Sequence, residues 1–224
     1  MGRKARAAVG GWAYHVINRG NRRMRVFGHD GDYRAFLQAM ADGLQVVPMR
    51  ILGWCLMPNH WHLVLWPRNA AGLSDFFRWV CTTHVRRWRT HRHNGGEGHL
   101  YQGRFKSFPI QRDEHLRQAV RYVEANPRRA RLVKRAEDWP YSSLWSGERP
   151  EESCVQLEEG WVSRDGKWLA WVNAGASAEE LGELRVSVNR GRPYGGKRWT
   201  AGAAARMGLE STLRSPGRPR KMGG

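Results

Sequence analysis

Cysteine is scarce in this 224-residue sequence, and no long apolar run is present. Cys55, Cys81 and Cys154 lie far apart and form no Cys-x-x-Cys pair, which argues against a disulfide framework or a thiolate zinc site and fits a reducing compartment. No uninterrupted apolar stretch approaches the roughly 18 residues of a membrane span. The basic N-terminus is not followed by the apolar core of a signal peptide. We therefore expect a cytoplasmic protein without a membrane partner.

Acidic residues are also few. The sequence contains 20 Asp and Glu against 38 Lys and Arg, which gives a formal net charge of +18 at pH 7 and a pI near 11.0. Such a surplus indicates a polyanionic partner, usually nucleic acid. A GC-rich genome, which favours arginine, is the alternative explanation. The hydrophobic content of 41% and the twelve tryptophans are enough for a real core.

The surplus charge is concentrated at the C-terminus. Residues 185–224 contain ten Lys and Arg and one acidic residue, so about half of the net charge lies in the last fifth of the chain. Short Arg-Gly-Arg-Pro arms can lie in the narrow minor groove of A·T-rich DNA. This pattern in the tail predicts DNA contacts for Arg190, Arg192, Arg218 and Arg220. A tail that binds polyanions without such specificity is an equal alternative.

Hydrophobic periodicity and turn signals predict the element order β-α-β-β-α-β-α. Strands are predicted at 11–20, 49–57, 60–66 and 104–111. Helices are predicted from a capping Asp30, from Ser74 to about Arg92, and from a capping Asp113 to about Asn126. The first six elements match a ferredoxin-like split βαβ plan, an α+β fold with a four-stranded antiparallel sheet and helices on one face. Nucleic acid often meets the open face of such a sheet.

A polar, turn-rich stretch after Trp145, SGERPEESC, predicts a domain boundary. We expect one domain over residues 1–146 and a C-terminal extension over residues 147–224. Within the extension, the segment KWLAWVNA predicts a small helical region inside 151–182, and a basic tail follows it.

Two histidines open the third strand in the stretch MPNHWHLVLWP. Because alternate residues of a strand share a face, His60 and His62 project side by side. They are either one core and one edge histidine, or half of a metal site. No further histidine or cysteine has convincing metal-ligand spacing. Two imidazoles completed by an oxygen donor would suit Mg²⁺ or Mn²⁺ better than structural Zn²⁺.

The third helix offers such a donor. Leu116, Val120 and Val123 form its buried stripe at about 100° per residue. Tyr122 and Asn126 form a separate polar stripe at the margin of the core. The side of the helix opposite the buried stripe is predicted to carry Arg117, Arg121 and Glu124. Taken singly, Tyr122 is readily explained as a half-buried tyrosine and Asn126 as a helix-terminal residue.

Four sequence blocks resemble a known family. HVINRGNRRMRVF, MPNHWHLVLWP, GHLYQGRFKS and AVRYVEANPRRARLV occur in the same order in the REP-associated tyrosine transposases, bacterial relatives of the single-tyrosine HUH transposases. The resemblance covers roughly residues 11–146. Two residues depart from the family pattern: Arg128 stands where Val is usual, and Arg131 where Gly is usual.

The resemblance implies a DNA-nicking and DNA-joining enzyme of the bacterial nucleoid. It makes His60 and His62 the metal ligands, Tyr122 the nucleophile and Asn126 the third ligand, with Mg²⁺ or Mn²⁺ as the cofactor. It implies transesterification on single-stranded, hairpin-forming repeat DNA through a covalent 5′-phosphotyrosine. Two other functions stay open: a non-catalytic nucleic-acid-binding protein on the same fold, and a phosphodiesterase that uses activated water. Monomer and dimer are both open.

Basic and aromatic residues predict where DNA binds. The cations follow the first strand and begin the fourth, and they are suited to contact phosphates: Arg19, Arg22, Arg23, Arg25, Arg104 and Lys106. Tyr101 and Phe105 lie beside them in sequence and are predicted to stack bases.

Overall fold

The fold is an α+β sandwich around a single sheet. A computed structural model describes residues 8–91, 98–158 and 160–214. The strands are β1 Ala13–Arg19, β2 Met49–Met57, β3 His60–Pro67 and β4 Lys106–Ile110. The helices are α1 Asp30–Val46, α2 Gly72–His91, α3 Glu114–Glu124, α4 Asn126–Arg129, α5 Ser143–Glu148, α6 Trp168–Ala174, α7 Ala178–Arg190 and α8 Lys197–Met207. Within these ranges no helix is long and apolar enough to cross a membrane.

The four strands form one antiparallel sheet in the order β2-β3-β1-β4, which confirms the predicted split βαβ plan. Strands β1 and β3 lie at its centre, and their register pairs Ile17 with His62 and Arg19 with His60. The C-terminal end of β1 and the N-terminal end of β3 therefore meet at one edge of the fold. The arginine-rich loop after β1 begins at that same edge.

Both faces of the sheet are covered. Helices α1 and α2 pack on one face, over a core that includes Trp54 and Trp61. Helix α3 and helices α6 and α7 of the C-terminal extension pack on the other face, over a second cluster that includes Val64 and Phe108. The open face expected for nucleic acid is thus filled by protein. The strand sequences indicate burial of both faces, since ILGWCLM and HLVLW are apolar at consecutive positions rather than at alternate ones.

Helix termini differ from the prediction at some positions. Asp113 is confirmed as the N-cap of α3 and accepts a hydrogen bond from the His115 N–H. Asp30 does not cap α1: it is the first helical residue, His29 precedes it, and the Asp30 carboxylate binds the Tyr141 hydroxyl at 2.6 Å. Helix α3 ends at Glu124, and Asn126 begins the separate turn α4.

Arg131 ends the α4 turn in the left-handed region, with φ of 58°. The Leu132 N–H donates to the Pro127 carbonyl across it, as in a helix C-terminus closed by a left-handed residue. This backbone conformation is the one that glycine adopts most easily, and it agrees with the Gly that the family resemblance leads one to expect at Arg131.

The C-terminal extension covers the side of α3 that was predicted to face away from the core. Helix α6 forms at the predicted KWLAWVNA segment. Arg121 and Glu124 are buried rather than exposed because α6 and its preceding loop pack over them. The Glu124 carboxylate accepts hydrogen bonds from the Ser143 hydroxyl at 2.6 Å, from the Arg164 guanidinium at 2.8 Å and from the Trp168 indole at 2.8 Å.

Glu124→Ala should lower the free energy of unfolding by about 3 kcal/mol, because it leaves the Arg164 charge without its buried partner. Chemical denaturation measures the change. Replacing both partners, as in Glu124→Met with Arg164→Met, should recover most of the loss, since no unpaired charge remains. Equal stability of Glu124→Ala and the unsubstituted protein would contradict this account.

A second buried polar group lies on the α2 face of the sheet. The Trp61 indole N–H donates to the Tyr101 hydroxyl at 3.1 Å, and that hydroxyl lies 2.9 Å from Nδ1 of His84. The indole can only donate, and a neutral His84 can accept the proton that the hydroxyl then offers. Burial lowers the pKa of His84 to about 4.

His84 should make the fold acid-labile. Its pKa in the folded protein is below the ordinary 6.5, so its contribution is complete above pH 6.5 and is lost as pH falls toward 4. Between pH 6.5 and 4.5 this loss amounts to about 2 kcal/mol, because the slope approaches its full value of about 1.4 kcal/mol per pH unit only between the two pKa values. Denaturation at both pH values should show a smaller drop in the free energy of unfolding for His84→Gln than for the unsubstituted protein. The glutamine can hydrogen-bond to Tyr101 but does not titrate. Equal drops in the two proteins would rule out His84 as the cause.

Candidate active site

The two histidines of β3 lie side by side, with ring centroids 4.9 Å apart. Trp61 and Leu63 point to the other face, into the core under α1 and α2. His62 faces α3, where its ring meets the Tyr122 ring edge-on at a centroid distance of 6.0 Å. Tyr122 is itself only 6% exposed. The fold therefore brings Tyr122 to the histidine pair across sixty residues of sequence.

Asn59 orients the ring of His60. The Asn59 amide donates from Nδ2 to the Arg23 carbonyl at 3.3 Å, so its Oδ1 is the atom that faces His60. Nδ1 of His60 lies 2.6 Å from that oxygen and must carry the proton. The lone pair of Nε2 of His60 is then free to bind a ligand.

His15, on the neighbouring strand β1, holds the ring of His62. Nε2 of His15 lies 2.9 Å from Nδ1 of His62, and the His15 ring stacks on Phe108 at 4.8 Å and meets Tyr122 at 6.3 Å. When His62 donates in this bond, its own Nε2 is free, as for His60. Sequence reasoning missed His15; the signal was a histidine in the apolar strand AYHVINR, two positions from Ile17, the register partner of His62, and therefore on the same face of the sheet.

Both histidines of β3 are neutral at physiological pH. Burial lowers the pKa of His60 to about 4, with smaller contributions from the Arg19 and Arg129 charges. Burial also lowers the pKa of His62 well below its usual value, assisted by the neighbouring imidazoles. Neutral imidazoles with a free Nε2 are the form that binds metals.

Arg129 connects the tyrosine to the asparagine. Its guanidinium carbon lies 4.2 Å from the centroid of the Tyr122 ring, and its Nη2 donates to Oδ1 of Asn126. Nδ2 of Asn126 is buried and has no hydrogen-bond partner among the residues that the structure describes. Arg129 was missed from the sequence, although its position three residues after Asn126 places the two on one face of a helical turn.

The donors suit a mixed metal site better than a cluster of charged ligands. In residues 8–91, 98–158 and 160–214 no group of three His, Cys, Asp or Glu is placed to hold a metal. Two neutral imidazoles are present, and the Asn126 oxygen keeps one lone pair beyond its bond from Arg129. This set fits a divalent cation that completes its shell with water and phosphate oxygens.

Residues 8–126 match the family described as IS200-like transposases, and the match includes His60, His62, Tyr122 and Asn126. The chain belongs to this family. A REP-associated tyrosine transposase from Escherichia coli is 28% identical over 139 residues, which are 60% of this chain and 77% of that protein. A Haemophilus influenzae protein, given the same name provisionally, is 27% identical over 117 residues, 49% of this chain and 66% of that protein.

The fold also matches a solved structure of a REP-associated tyrosine transposase bound to a REP hairpin. The TM-score is 0.53 and the identity 20%, over 74% of this chain and 95% of that one. The family resemblance drawn from the four sequence blocks is confirmed, and the chain is a transposase by family.

Three of the predicted DNA contacts of the transposase gather in one groove. Arg19, Arg104 and Lys106 line a cavity of about 380 Å³ at the edge where β1 ends and β4 begins, and the end of α7 forms another part of its wall. Arg19 also pairs in register with His60. The groove therefore adjoins the candidate site.

The arginine loop of the transposase lies on the other side of His60. Arg22, Arg23 and Arg25 are exposed, and the first two have φ of 49° and 62°, a costly backbone region for arginine. The loop is held to the β2–β3 turn by the bond from Asn59 to the Arg23 carbonyl and by bonds from Val26 and Phe27 N–H to the Pro58 carbonyl.

The predicted stacking role of two aromatic residues is wrong. Tyr101 and Phe105 are 6% and 7% exposed and belong to the core. The Tyr101 hydroxyl binds Trp61 and His84, and the Phe105 ring packs on Phe77 at 4.7 Å. Of the predicted tail contacts, Arg190 and Arg192 are half-buried beside β4, whereas Arg218 and Arg220 lie outside the described residues.

Proposed function

We propose that this transposase nicks and rejoins single-stranded, hairpin-forming DNA through a covalent bond between Tyr122 and the 5′ phosphate at the nick. The observation that carries the proposal is the contact of the buried Tyr122 ring with His62 on one side and with the Arg129 guanidinium on another. A tyrosine in an ordinary core is not surrounded by two neutral imidazoles and a cation.

The proposed reaction is a transesterification. The Tyr122 oxygen attacks phosphorus, a tyrosine–phosphate bond forms, and the bond from phosphorus to the 3′ oxygen breaks. The phenol loses a proton and the leaving 3′ oxygen gains one, so no cofactor is consumed. Arg129 stabilises the negative charge that develops beside the ring. Attack by a 3′ hydroxyl on the phosphotyrosine reverses these steps and joins strands.

His60, His62 and Asn126 are the residues that would hold Mg²⁺ or Mn²⁺. Such an ion, when bound, withdraws electron density from the scissile phosphate. Asn59 and His15 keep the two imidazoles oriented toward it. The short segment from Tyr122 to Asn126 carries both nucleophile and ligand, which limits their relative movement.

DNA is the proposed partner. The net charge of +18 and the groove of Arg19, Arg104 and Lys106 beside the site supply sequence-independent phosphate contacts. The exposed arginines 22, 23 and 25 provide further contacts on the other side of His60. The solved relative of similar fold is bound to a REP hairpin, which supports a hairpin-bearing substrate here.

The test uses hairpin-bearing single-stranded DNA, drawn from repeats that flank the gene and labelled at either end, with Mg²⁺ or Mn²⁺. A denaturing protein gel should show an adduct that carries only the label on the 3′ side of the nick, and the other fragment should end in a free 3′ hydroxyl. Cleavage that releases two free fragments would favour a water-activating phosphodiesterase. Tight binding without cleavage would favour a non-catalytic DNA-binding protein.

A further inference from the structure

We propose that the C-terminal extension forms a second binding site for single-stranded DNA, a cleft at the start of α8 where unpaired bases stack on Trp199 and Trp12. The cleft has a volume of about 670 Å³ and lies at the end of β4 that is remote from the groove beside His60. The inference rests on the proposed function, because it extends the path of the same DNA strand. Helix α8 lies outside the family match of residues 8–126.

Two tryptophans form the aromatic wall of the cleft. Trp12 and Trp199 are half-buried, and their ring centroids lie 5.4 Å apart at an interplanar angle of 42°. Gly195 makes this placement possible, since a Cβ there would come within 2.5 Å of the Trp199 ring. Base–aromatic stacking tolerates any sequence because every base has a π-face. The geometry therefore suits unpaired bases rather than one base sequence.

The remaining wall is basic. Lys197, Arg198 and Arg206 line the cleft, and no acidic residue of the described ranges is part of its wall. None of the three forms an ion pair with the residues that the structure describes. Lys197 and Arg198 occupy the first turn of α8, where the helix dipole disfavours cations. Two unpaired cations in that position are explained by an anionic ligand.

The cleft and the catalytic groove are joined along β4. Lys106, the first residue of β4, lines the groove, and Gln111, just beyond its end, lines the cleft. The two positions are about 17 Å apart at about 3.3 Å per residue. The segment that contains Arg190 and Arg192 runs beside β4, fixed by the parallel bridge between Ile110 and Tyr194. One DNA strand can therefore contact phosphate-binding residues from groove to cleft.

Gly202 allows a test that leaves the fold intact. It lies in the middle of α8 on the cleft wall, and a Cβ there meets no atom within 4 Å. Gly202→Leu should fill the cleft while favouring the helix. Gly182→Leu is the matched control, because Gly182 is exposed in α7, its Cβ also meets nothing, and it is not part of the cleft.

Binding is measured by fluorescence anisotropy of a labelled oligothymidylate of about twelve nucleotides, in the Tyr122→Phe background so that no covalent adduct forms. Gly202→Leu should weaken binding about tenfold and Gly182→Leu should leave it unchanged. Lys197→Gln with Arg198→Gln should lower the salt dependence of log affinity by about 1.4, whereas Arg185→Gln, which removes one exposed charge of α7 outside the cleft, should leave it unchanged. Thermal melts of each variant confirm that it is folded.

Equal affinity of Gly202→Leu and Gly182→Leu would overturn the cleft assignment, and so would a preference for duplex DNA or for oligouridylate RNA over the single-stranded DNA. If the cleft variants lose binding while the protein with intact Tyr122 forms no adduct, the cleft stands and the nicking proposal fails. If an adduct forms but the cleft variants bind normally, only the cleft fails. No binding of single-stranded DNA at all would overturn both.

Discussion

Tyr122→Phe should abolish the covalent protein–DNA adduct and lower strand cleavage at least about 10⁴-fold, as expected when a nucleophile is removed from a preassembled site. The phenylalanine ring keeps the contacts with His62 and Arg129, so the fold and DNA affinity should be unchanged. Cleavage rates on the labelled hairpin substrate and binding by anisotropy measure the two quantities separately.

Tyr141→Phe is the matched control for that substitution. Tyr141 stacks on Tyr33 at 3.7 Å and its hydroxyl binds Asp30, outside the candidate site. Its loss should leave cleavage intact. Cleavage that survives in Tyr122→Phe would show that water or another residue is the nucleophile, and the role given to Tyr122 would then be wrong.

His60→Ala should reduce cleavage about 10³-fold and weaken Mn²⁺ binding, because a metal site that contributes several kcal/mol to catalysis loses one of its few ligands. His60 is the first residue of β3 and is half-buried, so its truncation disturbs the core less than that of the buried His62. Isothermal titration with Mn²⁺ gives a readout that does not depend on catalysis.

Asn59→Ala should have a smaller effect of about 10–100-fold, since it releases the ring of His60 without removing the ligand. His115→Ala serves as the control, because that histidine pairs with Asp113 at the start of α3 and faces no candidate ligand. Removal of divalent cations by a chelator should stop cleavage by the unsubstituted protein. Undiminished cleavage in chelator, or unchanged Mn²⁺ affinity in His60→Ala, would exclude the metal site.

Local rules of sequence predicted the elements well. The alternation of β3 placed His60 and His62 on one face, as the structure shows. The periodicity of α3 put Tyr122 and Asn126 at the margin of the core, whereas both are buried and Tyr122 packs in the same cluster as Leu116 and Val120. The helix boundaries in the structure differ from the predicted ones where several residues compete for one cap, as at Asp30. Capping depends on the path by which the chain enters the helix.

Long-range packing was predicted less well. Glu124 and Arg121 carry charge, which predicts that they are exposed to solvent. The extension buries them instead, by supplying Arg164, Trp168 and the backbone carbonyl of Trp171 as partners. Tyr101 follows a basic, loop-like stretch and yet belongs to the core. Burial of a polar residue depends on partners far away in sequence, and no local pattern contains them.

The sequence by itself determined the chain of elements, the shared face of the two histidines, the basic character and the four blocks that identify the family. Only the tertiary structure decided that His15 and Asn59 orient those histidines, that Arg129 lies over Tyr122, and that α8 forms a basic cleft with Trp12. The physical reason is the distance along the chain over which each effect acts. Strand alternation and helix periodicity act between neighbours in the chain, whereas a site is built from side chains on different elements, whose approach depends on the packing of the whole fold.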